Sequence, residues 1–98
     1  MKLKVYISGK ITGNDSYMEE FSKAQKKLEE RGYSVLNPAA TCATLPEDTE
    51  YEDYMRIALN LLDMADIAYF LKNWKDSKGA NREYGYALAK EIKIIFEM

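Results

Sequence analysis

Lys2-Leu3-Lys4-Val5-Tyr6-Ile7-Ser8-Gly9 is the stretch whose reading decides the fold. Leu3, Val5 and Ile7 alternate with less apolar neighbours and are partly β-branched, which predicts a strand running into Gly9. Downstream, Asp15 or Ser16 can cap a helix in which Tyr17, Phe21, Ala24 and Leu28 recur at helical spacing, ending near Gly32. Tyr33 to Leu36 read as a second strand, stopped by Asn37-Pro38, and a loop holding Cys42 and Pro46 follows.

Thr49-x-x-Glu52 has the pattern of a capping box. Behind it Tyr54, Ile57, Ala58, Leu61, Leu62 and Ala65 form an apolar stripe, so a helix is expected over residues 50–64. Ile67 to Leu71 predict a third strand and Asn73 to Gly79 a polar loop. A helix then runs from Ala80 to Glu91, and a last short strand from Ile92 to Phe96. Strands alternating with helices imply a parallel sheet covered on both faces. The expectation is one α/β domain over residues 1–98: a small, doubly wound, Rossmann- or flavodoxin-like sheet of four parallel strands in the order 2-1-3-4. Ligands bind such sheets outside the carboxyl ends of the strands, where the strand order reverses. That rule puts the loops at 8–15, 37–49 and 72–80 at the binding edge, and Asp66 and Glu91 at the opposite one.

Composition narrows the chemistry. Ninety-eight residues, 47% hydrophobic and 31% charged, describe an ordinary globular chain. A net charge of −2 gives no basic footprint for a nucleic-acid polymer. The single cysteine, Cys42, excludes an internal disulfide framework and fits a reducing, cytoplasmic setting. No apolar run is long enough for a membrane span, and the first residues lack the apolar core of a signal peptide. The absence of histidine removes Ser-His-Asp and Cys-His catalysis and all histidine metal sites. Carboxylates, tyrosines and lysines remain, and nothing calls for a cofactor or a metal.

Two segments at the binding edge stand out. Ser8-Gly9-Lys10-Ile11-Thr12-Gly13 follows the first strand, and its glycines either bring backbone N–H groups to an anion or simply make the turn. It is neither a Walker A motif nor GxGxxG. In Trp74-Lys75-Asp76-Ser77-Lys78-Gly79-Ala80-Asn81-Arg82-Glu83, Ser77 can cap the last helix with its hydroxyl at the ligand edge. Glu83 lies three after Ala80 and four before Ala87, on the core-facing stripe, where a carboxylate is costly unless the site is open or hydrogen-bonded. The helix dipole explains an acid in the first turn but not its place on the apolar side. An ionised carboxylate is expected there at neutral pH. Tyr6 reads first as a buried aromatic, with stacking or hydroxyl donation to a ligand as the alternative. Trp74 either stacks on a base or covers the core.

VYISGKITG at the start, Asn37-Pro38, Tyr54-Met55-Arg56, Ala65-Asp66 and Trp74-x-x-Ser77-x-Gly79-Ala80-x-x-Glu83 together resemble the nucleoside 2-deoxyribosyltransferase-like superfamily. The likeness is greatest to its small branch, frequent in phages and bacteria, and Ser77 six residues before Glu83 is similar to the 2-deoxynucleoside 5-monophosphate N-hydrolases. The resemblance implies that Glu83 attacks the anomeric carbon of deoxyribose with Tyr6 beside the sugar. Ser77 and the first loop (Ser8, Gly9, Lys10, Gly13) would then hold a 5-phosphate, with Gly79 and Trp74 nearby. Ala58 stands where the hydrolases carry an aspartate that assists the departing base. The expected activity is cleavage or transfer of a deoxynucleoside or deoxynucleotide N-glycosidic bond; the alternative is a nucleotide-binding protein that sequesters or senses its ligand. A homo-oligomer is expected, with Tyr51, Tyr54, Tyr84 and Tyr86 as contact surface.

Overall fold

In the computed structural model, which describes all 98 residues, the alternation read from the sequence becomes four strands and four helices. They are β1 (Lys4–Ser8), α1 (Tyr17–Glu30), β2 (Ser34–Leu36), the short α2 (Pro38–Thr41), α3 (Tyr51–Asp63), β3 (Ile67–Phe70), α4 (Lys78–Ala89) and β4 (Lys93–Phe96). A single 3-10 turn, Trp74–Asp76, precedes α4. The sheet is wholly parallel in the order β2-β1-β3-β4.

Parallel strands covered on both faces should be apolar throughout, and the central strand β3 is buried along its whole length. Alternation divides the strand residues between two layers. Val5, Ile7, Ile67 and Tyr69 pack with Phe21, Ala24 and Leu28 of α1. Tyr6, Ala68 and Phe70 pack with Ala58 and Leu62 of α3 and Ala87 of α4. The chain runs one way from β1 to β2 and the other way from β1's far side through β3 to β4. The loops leaving β1 and β3 therefore part and open a crevice at their carboxyl ends.

Several local details differ from expectation. The capping box does not form: the Thr49 hydroxyl donates to the Pro46 carbonyl at 2.6 Å, and Glu52 instead takes the Arg82 guanidinium of α4 at 2.9 and 3.2 Å. A two-pronged charged contact outweighs a single cap bond. Ser16 makes no side-chain cap; Asn14 Oδ1 accepts from the Ser16 N–H instead, at 3.2 Å. The loop after β2 holds α2, started by Asn37 Oδ1 accepting from Ala40 N–H at 3.2 Å, with Pro38 at the first helical position. Helix α4 begins at Lys78, a turn-half earlier than Ala80, and Ser77 caps it as read, accepting from Ala80 N–H at 3.0 Å. At the far edge Asp66 Oδ2 accepts from Lys4 N–H at 2.8 Å, tying the start of β1 to the start of β3. No helix is long and apolar enough to cross a membrane.

Candidate functional site

Glu83 is fixed by two periodicities. On α4, Ala80, Glu83 and Ala87 form the buried stripe. On β1, Tyr6 and Ser8 are two apart and so share the face that α4 covers. The carboxylate is thereby pressed against the strand, and only 5% of the residue remains exposed. Tyr6 donates its phenolic hydrogen to Oε2 at 2.5 Å and Ser8 donates to Oε1 at 2.6 Å. Both oxygens are held, and no lysine or arginine pairs with either; Arg82, next in the chain, is engaged with Glu52.

A buried carboxylate without a cation is expected to resist ionisation. Burial pushes Glu83 up to about 7, against the pull of the Ser8 and Tyr6 hydrogen bonds and the Arg82 charge. The proton is therefore held to higher pH than on an ordinary carboxylate, because desolvation exceeds what the two hydroxyls and the Arg82 charge return. The same burial, with the neighbouring carboxylate, drives Tyr6 well above an ordinary phenol, which keeps it a donor.

Glu83 and Tyr6 form part of the floor of a cleft of about 720 Å³, the size of a small-ligand site. One wall is Gly9, Ile11 and Thr12 from the loop after β1; the opposite wall is Tyr51, Tyr54, Met55 and Ala58 of α3. Ser77, Lys78 and Gly79 bring the start of α4 to the rim, and Pro38, Ala39, Cys42 and Leu45 close the side beside β2. The three loops assigned to the binding edge all contribute. No group of acidic or sulfur side chains is arranged to hold a metal ion.

The residues singled out in the sequence divide into three groups. Glu83, Tyr6, Gly9, Ser77 and Gly79 line the cleft. Ser8 sits beneath it, 1% exposed, with its hydroxyl hydrogen given to Glu83, so it serves the carboxylate rather than an outside anion. Lys10, Gly13 and Trp74 are not cleft residues. Lys10 turns its N–H to Asn73 Oδ1 at 3.1 Å, and Gly13 takes a left-handed turn at φ 75°. Trp74 packs with Phe70, Tyr84 and Phe96 at ring separations of 5.3, 4.8 and 5.7 Å, so of its two readings the core cover is the one realised. The glycines work by size: a Cβ on Gly9 would lie 2.8 Å from Leu71 Cδ1, and one on Gly79 3.3 Å from Met55 Sδ. The Ser8–Glu83 bond, between residues 75 apart, has no local signature in the sequence, whereas the wall of Tyr51 and Met55 has one: Tyr51, Met55, Ala58 and Leu62 fall on one helical stripe.

Residues 3–96 match a family described as a domain of unknown function, DUF4406. Among solved structures, the 2-deoxyribosyltransferase of the psychrotolerant bacterium Bacillus psychrosaccharolyticus superposes with a TM-score of 0.75 at 21% identity, covering 95% of this chain and 70% of that one. The likeness is one of fold. No curated protein sequence matches.

Proposed function

Since the chain belongs to the DUF4406 family and shares the fold of a 2-deoxyribosyltransferase, we propose that it cleaves or transfers the N-glycosidic bond of a deoxynucleoside or its 5-monophosphate. One observation carries the proposal: a carboxylate with both oxygens held by hydroxyls, no cationic partner, and an open cleft above it. Acids are seldom fully buried in a core unless paired with a cation.

In the proposed reaction a Glu83 oxygen attacks the anomeric carbon as the bond to the base breaks, and the base leaves with the bonding pair. Tyr6 and Ser8 hold the carboxylate so that one oxygen faces the sugar. A glycosyl ester on Glu83 results. Water then attacks the same carbon to give hydrolysis, or a second base does so to give transfer, and Glu83 is released with retention of configuration. The start of α4, with Ser77 Oγ–H and the free N–H groups of Lys78 and Gly79, and the Gly9–Thr12 loop take the 5-phosphate. Tyr51 and Tyr54 face the base side.

Ala58 supports the second reading, a nucleotide-binding protein without turnover. It lines the cleft with a methyl group where an acid would assist the departing base. The deciding experiment incubates the chain with a panel of deoxynucleosides and their monophosphates and looks for free base. Base release by the wild type that Glu83→Gln abolishes supports the enzyme, and Ala58→Asp should then speed it at least severalfold. Micromolar binding with no release in the wild type selects the binding protein.

A further inference from the structure

The loop after β1 is held from behind by a small amide network that the proposed chemistry does not use. Asn73, in the loop after β3, accepts from the Lys10 N–H through Oδ1 at 3.1 Å. Asn14, before α1, donates from Nδ2 to the Lys10 carbonyl at 2.9 Å. One peptide unit on either side of Lys10 is thus gripped by two asparagines from different loops. Both amides converge on one carboxylate oxygen: Glu20 Oε1 accepts from Asn14 Nδ2 at 2.9 Å and from Asn73 Nδ2 at 3.2 Å. Glu20 lies on the first turns of α1 and is half-buried, and no lysine or arginine pairs with it.

The placement matters because of what flanks Lys10. Gly9, Ile11 and Thr12 line the cleft, whereas the Lys10 N–H is given to Asn73 and the residue is not part of the lining. Asn73 in turn opens the 3-10 turn that ends at Ser77, the cap of α4. Asn81 secures the other end of that turn, donating from Nδ2 to the Lys75 and Ser77 carbonyls at 3.0 and 2.8 Å. The loop after β1 and the start of α4, which meet at the phosphate end of the cleft, are therefore coupled through side chains outside the cleft lining. A glycine-bearing loop and a helix start make an anion site only while their N–H groups stay aimed at one point.

We propose that Glu20, with Asn14 and Asn73, is a positioning device that fixes the spacing of this loop and helix start and so sets the preference of the cleft for a 5-phosphate. This rests on the phosphate placement given under the proposed function. Glu20 supplies a single acceptor to two amide donors, so its glutamine variant, which keeps a carbonyl oxygen, should preserve the arrangement, and its alanine variant should not.

Calorimetric titration with 2-deoxyadenosine and 2-deoxyadenosine 5-monophosphate gives the readout as a ratio of affinities. The wild type should favour the monophosphate. Glu20→Ala and Asn73→Ala should lower that preference by roughly tenfold, the loss of one or two aimed N–H contacts, with nucleoside affinity within about twofold. Glu20→Gln should restore most of the preference. Asn14→Ala, at a half-buried position in the turn before α1, is the companion variant if Glu20→Ala does not fold. A ratio unchanged in the folded alanine variants overturns the positioning role and leaves the phosphate site standing. A wild type that binds both ligands equally overturns the phosphate site, and the positioning role with it.

Discussion

Replacing Glu83 by glutamine should stabilise the chain at alkaline pH while abolishing base release. In the unfolded chain the carboxyl ionises near 4.5, and in the fold it holds its proton up to about 7. Between those values the folded state binds more protons than the unfolded one, so stability falls as pH rises through the window. At roughly 1.4 kcal/mol per decade of proton affinity, the difference amounts to about 3 kcal/mol above neutrality. Glutamine removes this penalty but keeps only one acceptor for the two hydroxyls of Tyr6 and Ser8, a loss of about 1 kcal/mol. The net expectation at about pH 8 is a gain of about 2 kcal/mol, or roughly 10 °C in melting temperature for a domain of this size. At about pH 4 both side chains are neutral, and the variant should be no more stable than the wild type. Urea unfolding of both proteins at the two pH values tests this. A stability difference that is the same at both would show that Glu83 titrates alike folded and unfolded, and the electrostatic account of the site would be wrong.

Tyr6→Phe removes a hydrogen bond that lowers the Glu83 pKa, so the pH–rate midpoint should rise above that of the wild type and release at neutral pH should fall; a downward or unmoved midpoint contradicts the assignment. Ser77→Ala should weaken monophosphate binding by about 1–2 kcal/mol without matching loss for nucleosides, and the lost α4 cap should lower unfolding stability by about 1 kcal/mol. Glu91, just past the end of α4, adopts a left-handed conformation at φ 58°, so Glu91→Gly should raise the urea midpoint, with a gain of about 1 kcal/mol; a drop would mean its side chain contributes more than its backbone costs. Met64 and Leu88 are 54% and 55% exposed, and light scattering at micromolar concentration should give a mass above 11.3 kDa; a clean monomer refutes the expected homo-oligomer.

The strand order was legible from the alternation of strands and helices, and the buried faces from periodicity. Val5 and Ile7 against Tyr6 and Ser8 divide between layers as period two requires, and Ala80, Glu83 and Ala87 align as 3.6 requires. The Ser77 cap was legible for the same local reason. What local pattern cannot supply is competition between partners. Thr49 and Glu52 fit a capping box, yet Arg82, thirty residues away, takes the glutamate. Ser8 belongs by position to an anion loop, but Glu83 takes its hydroxyl. Trp74 lies in a binding-edge loop, but an aromatic pocket of Phe70, Tyr84 and Phe96 offers it more contact than solvent does. The raised proton affinity of Glu83 is not written in its helix, because the depth of burial is a property of the assembled layers.

The hydrogen bond between Tyr6 and Glu83 spans 77 positions of a 98-residue chain. The strand that grips the acid is made well before the helix that carries it. The site does not exist until both have been made, and loop closure over that separation is among the slower steps a small domain must complete. The carboxylate is desolvated only when β1 and α4 have closed on one another, so its raised proton affinity appears together with the finished sheet. Proton uptake at Glu83 is in this sense a late clock of folding: a pH jump or stopped-flow proton signal from this residue marks the moment at which β1 and α4 meet.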